Sequence, residues 1–282
     1  MKKIIFTLIL FCLAINTQAQ LLYKITGDSL SKPSYIVASH PFLNPLGIVS
    51  GISGLREAIT NTDQLVEDIY KTAYASTMSN AEKLPAGKTL ASLLTPAQTK
   101  LMDSFLKKYT EVGWNSPYNQ RRYNGKMPLA VLADFYKLLF VANHMGEYDP
   151  THSFNEYFEA QAKENSEPIH ALTSVDDYVN VFQNTPLDSQ VTALTSFLED
   201  PNKALTKIDK SVEAFDNKDM EASANTWLGI GPKPDTKAWT EKMIKFMADK
   251  PAFFVIPSSA LGGDNGVLTL LKAQGYLVDS VY

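Results

Sequence analysis

Residues 254–278, FVIPSSALGGDNGVLTLLKAQGYLV, constrain the fold more than any other part of the chain. The run Phe254-Val255-Ile256 has no polar interruption, as expected of a buried strand. Gly262-Gly263 and Gly266 supply a tight turn, because glycine reaches backbone angles that other residues avoid. A helix follows, and then a short final strand over 276–281. A strand, turn, helix and strand at the end of a chain need partner strands from elsewhere in the sequence.

Those partners lie at the other end. Residues 21–25 predict a short strand, Thr26-Gly27-Asp28 a turn, and 34–39 a second, largely apolar strand. Residues 47–61 have helical spacing, and 63–69 predict a third strand. The middle is helical. Thr95-Pro96 has the form of an N-cap followed by proline at the first helical position. Helices are expected over 97–109, 127–141, 154–163, 175–183, 188–198, 203–215 and 236–249. One short buried strand is expected over 168–172, and another over 252–256. The result is a single α/β domain, with a central mixed sheet built from N- and C-terminal strands and a largely helical middle.

The first 19 residues are set apart. Met1-Lys2-Lys3 precede an apolar run to Ile15, and Asn16-Thr17-Gln18-Ala19 ends in a small residue. This is the pattern of a cleaved export signal, and the run is too short to span a membrane. Cleavage near Ala19 predicts a periplasmic or extracellular domain over 20–282, without stable membrane insertion. The single cysteine, Cys12, falls in the leader. The remaining chain therefore has no disulfide and no thiolate nucleophile or ligand. Without Lys2 and Lys3 it carries 24 basic against 30 acidic side chains. That balance disfavours nucleic-acid partners.

The 254–278 segment resembles the C-terminal signature of the TraB/GumN family, bacterial relatives of the Tiki-type metalloproteases. The opening Leu22-Tyr23-Lys24-Ile25-Thr26-Gly27 and the loop Leu84-Pro85-Ala86-Gly87-Lys88-Thr89-Leu90 resemble it too. The resemblance covers nearly all of the chain after the leader. It implies an active cleft at strand ends, built from acidic, His and Arg groups around a metal or catalytic His.

Few of those groups are present. Where the family has Gly-x-x-His after the second strand, this chain has Ala38-Ser39-His40-Pro41. Proline stands at the His position and His40 falls one residue early, on the opposite face if the strand continues. The Val-Gly-Glu position reads Val66-Glu67-Asp68, so a shorter acid, Asp68, replaces Glu, and Glu67 points to the other face. The mid-chain Gly-Leu-Glu reads Ala171-Leu172-Thr173. The Glu-Arg-Asn segment before a Trp-bearing helix reads Pro234-Asp235-Thr236, where Asp235 or Thr236 suits a helix N-cap. The C-terminal His is Ala260. Ser258 and Ser259 lack the Gly-x-Ser-x-Gly elbow of a serine hydrolase. Asp264, read as opening the last helix, would repel a phosphate there.

A catalytic metal site needs about three protein ligands together. The expectation is therefore an exported, catalytically inactive relative that holds a peptide or other envelope component in the remnant cleft, with no cofactor. Its remnant site candidates are His40 and Asp68. One alternative is a divergent metal-dependent hydrolase whose divalent ion would sit on His40, Asp68 and His170. Another is a structural envelope protein that uses its helical middle for interaction.

Overall fold

A computed structural model describes residues 20–149, 151–229 and 231–282. The expected leader lies outside the described residues. The sheet contains β1 (Leu22–Thr26), β2 (Ser34–Ser39), β3 (Leu65–Glu67), β4 (Ile169–Ala171), β5 (Phe253–Pro257) and β6 (Leu277–Ser280). Its spatial order is β4-β3-β5-β2-β1-β6. β2, β5, β3 and β4 run parallel, while β1 is antiparallel to both β2 and β6. The mixed sheet with a helical middle is the architecture the sequence predicts.

β5 lies between β2 and β3, pairing Val37 with Val255 on one side and Val66 with Phe254 on the other. A strand with neighbours on both edges and helices over both faces has no solvent-facing side, which accounts for its all-apolar sequence. Phe254, Val255 and Ile256 are fully buried. The helix Pro128–Asn143 buries Val131, Leu132, Phe135, Leu139 and Phe140 in the same continuous core. Thr95 caps Pro96–Thr110 by a capping box with Gln98, and Asp235 caps Thr236–Asp249.

Three expectations need correction. The helix expected over 47–61 is two helices, Pro45–Val49 and Leu55–Thr60. Gly54 between them has φ of +71°, a left-handed turn that no helix interior accepts. The strand expected to be buried over 168–172 is half-buried, because β4 is an edge of the sheet. Asp264 does not open the last helix. Gly266 is the N-cap of Val267–Ala273, without a side-chain bond.

The glycines of the C-terminal turn have a packing cause. A Cβ on Gly262 would fall inside van der Waals contact with the backbone carbonyl of Met220, on the short helix Met220–Ser223. Gly125 has open space around it. Guanidinium unfolding of Gly262→Ala is expected to show a loss of about 1–3 kcal/mol, the range for inserting atoms into a packed site. Gly125→Ala is expected to unfold like the unaltered protein. Equal midpoints for both variants would contradict the close approach.

Candidate functional site

The four parallel strands end on one side of the sheet, and their first residues past the ladder meet there. Ser39 ends β2 and His40 and Pro41 follow it, Asp68 and Ile69 follow β3, Thr173 lies just past β4, and Ser258 and Ser259 follow β5. Together they form the floor of a cavity of about 170 Å³. Ligands of open α/β sheets bind in this place, outside the carboxyl ends of parallel strands. Trp227, Leu228, Pro232, Pro234 and Trp239 supply an apolar wall, and Phe154 and Asn155 close another side.

His40 lies one residue beyond β2. The chain has left the strand, so side-chain alternation no longer applies and the imidazole reaches the cavity lining. The ring is 3% exposed and packs among Phe42, Phe140 and Phe215. Its Nδ1 accepts hydrogen bonds from the amides of Phe42 and Leu43, both at 3.3 Å. The proton must then be on Nε2, which donates to Ser211 Oγ at 3.1 Å. Ser211 in turn donates to the Ile208 carbonyl at 2.8 Å. A serine and histidine in contact resemble a nucleophile and its base. Here the histidine nitrogen that faces the hydroxyl carries the proton and cannot accept another.

Burial, reinforced by the charge of His144, lowers the His40 pKa to about 3. Asp68 is partly buried, and its Oδ1 accepts from the Asn155 amide at 2.8 Å. Burial raises its pKa, opposed by Lys71 and the Asn155 bond. Thr173 accepts from the Trp239 indole N–H at 3.2 Å, and its own amide donates to the Asp68 carbonyl at 2.8 Å. The threonine in place of the family's acid thus ties the Trp-bearing helix to the ends of β3 and β4.

His170 is elsewhere. It sits in β4 beside Val66, with its ring 4.9 Å from that of Phe246, and it does not line the cavity. His40, Asp68 and His170 are therefore not brought to one point. Among the described residues, no group of three His, Cys, Asp or Glu side chains is placed to hold a metal ion. The donor chemistry agrees. Both His40 nitrogens are engaged, Pro41 and Ala260 have no donor atom, and Asp68 is the one carboxylate in the lining. The cavity residues do not fit the divalent ion that the family resemblance implies, and Asp68 is not identified as a metal ligand.

Ser211, Asn155 and Trp227 also line the cavity, and sequence reasoning did not point to them. His40 and Ser211 are 171 positions apart, and no local spacing could have joined them.

The family model described as the TraB/PrgY/gumN family matches residues 21–280. The chain belongs to that family. No curated protein and no solved structure matches it.

A histidine held neutral by burial makes stability depend on acid. Unfolded His40 titrates near its ordinary value of about 6.5. Between about 6.5 and about 3 the unfolded chain binds a proton that the folded one refuses, so stability falls as pH falls. The slope for one such group is at most about 1.4 kcal/mol per pH unit. Urea unfolding at pH 7, 6 and 5 is expected to show His40→Gln gaining stability relative to the unaltered protein as the pH falls. Identical slopes would show that His40 is not held neutral.

Proposed function

We propose that this chain is an exported, non-catalytic member of the TraB/PrgY/gumN family that uses its strand-end cavity to hold a peptide or another envelope component. One observation carries the proposal: the cavity persists while its chemical groups are committed to structure. His40 is engaged at both nitrogens, Thr173 anchors Trp239, and Pro41 stands where the family's histidine would be. What remains is an apolar wall of Trp227, Leu228, Pro232 and Pro234 above a floor of hydroxyl, amide and carboxyl groups. Binding pockets commonly combine apolar walls with a few placed polar groups. The net acidity of the chain favours such a ligand over nucleic acid. The leader pattern supports delivery to the periplasm or the outside.

The test uses purified protein lacking residues 1–19. After exposure to zinc, manganese and cobalt and then dialysis, it is expected to retain no stoichiometric metal. It is expected to leave a mixed peptide library uncleaved. Peptides from that library are expected to quench tryptophan fluorescence saturably, and Trp227→Ala is expected to weaken binding roughly tenfold or more, as for a central aromatic contact. Stoichiometric metal that disappears in His40→Ala would instead establish a divergent metal-dependent hydrolase. No saturable binding from peptides or envelope extract would remove the ligand-holding role.

A further inference from the structure

One buried acid belongs to neither the cavity floor nor any ion pair. Glu67 is the last residue of β3 and is 0% exposed, and neither carboxylate oxygen has a hydrogen-bond partner. It stands where the family resemblance has glycine. Facing it from the helix Phe154–Glu164 is Glu159, 1% exposed. Glu159 Oε2 accepts from Lys163 Nζ at 2.9 Å and from the Thr72 hydroxyl, while Oε1 has no partner. Three acceptor oxygens of the two acids are thus left without a hydrogen-bonded donor, and the nearby Asn155 side chain, which favours the ionised form of Glu67, does not offset burial and the two neighbouring acids. Two ionised carboxylates there would repel each other, and the one lysine is already spent on Glu159 Oε2. One proton between them resolves this, because a protonated carboxyl both donates and neutralises.

We propose that Glu67 and Glu159 form a one-proton carboxyl pair that clamps the helix Phe154–Glu164 onto β3 and makes the cavity wall sensitive to pH. The mechanical link is short. Asn155 lies one helical turn before Glu159 and donates to Asp68, the residue after Glu67. Both Asn155 and Asp68 line the cavity. The same helix buries Phe158 against Phe253 of β5, with ring centroids 5.0 Å apart, which fixes it against the sheet beside the pair. When the proton leaves to solvent, the pair carries two negative charges against one lysine. The helix then loses its hold on β3, and Asn155 moves with it.

The other groups around the pair do not supply the missing charge. On β3 itself the neighbour is Asp68, a further negative group. The segment after β3 brings Tyr70, Lys71 and Thr72. Lys71 acts on Asp68, and Tyr70 lies near Lys163. On the flanking strands the register partners of Glu67 are Ala171 and Val255, neither of which titrates. Burial, then the charges of Glu159 and Asp68, raise the Glu67 pKa to about 9. The sign follows. Between the ordinary value of about 4.5 and about 9, the folded protein holds a proton that the unfolded chain has lost. Stability contributed by the pair is full below that window and declines as pH rises through it.

The test needs no ligand, so its outcome is separate from that of the binding role. The unfolding equilibrium constant, from urea titrations between pH 7 and 9, above the range in which unfolded His40 titrates, is expected to rise by up to tenfold per pH unit. Glu67→Gln keeps the shape without the titration and is expected to flatten that rise. Amides of residues 154–164 are expected to exchange at least tenfold faster at pH 9.5 than at pH 7.5 in the unaltered protein, after correction for chemical rate, and not in Glu67→Gln. Should that variant fail to fold, infrared difference spectra of the unaltered protein decide the matter. A protonated-carboxyl stretch present at neutral pH and lost on alkaline titration supports the clamp. Its absence, or pH profiles shared by both proteins, overturns it.

Discussion

Everything in this molecule depends on a single strand being hydrogen-bonded on both sides. β5 joins β2, β1 and β6 to β3 and β4, and without it the sheet falls into an unconnected pair and a three-stranded piece. Because β2, β3, β4 and β5 are mutually parallel, joining them also brings four carboxyl ends to one side. The cavity follows from strand direction, whatever side chains occupy it. This is how the chain can belong to the TraB/PrgY/gumN family and keep the cleft while presenting Pro41, Thr173 and Ala260 at motif positions.

The interior handles its ionisable groups by removing their charge. His40 stays neutral by refusing a second proton, and Glu67 by keeping its one, since burial opposes the charged form of each. The two lie at the carboxyl ends of strands on either side of β5, after β2 and at the end of β3. Their opposite senses offset each other between about pH 4.5 and about pH 6.5, where the folded state is best supported. Ser211 and Asn155, both from helices, hold the neighbouring side chains of this arrangement in place.

Much of the frame was legible in the residues. β2 occupies the predicted 34–39, the last long helix occupies 236–249, and Thr95-Pro96 caps its helix, because strand composition and capping chemistry are local. Gly54 was hidden inside an apolar period that reads as one helix, although its backbone turns left-handed. The site was less legible. The motif comparison led to Asp68 and His40, but the tautomer of His40 depends on the fold after Pro41 and on a serine far along the chain. Alternation places Glu67 off the cavity. That Glu159 waits opposite is a fact of tertiary packing, and a helix carrying Glu156, Glu159 and Lys163 looks from its sequence like an ordinary solvated face.

The position of β5 also has a consequence in time. The chain is made from its amino terminus, so the segments of β2, β3 and β4 are all synthesised before residues 253–257. All of the chain up to residue 257 must be present before the strand that joins the two parts of the sheet can enter between them. Folding is therefore a late event that couples distant segments, with the slow rate expected of such long-range pairing.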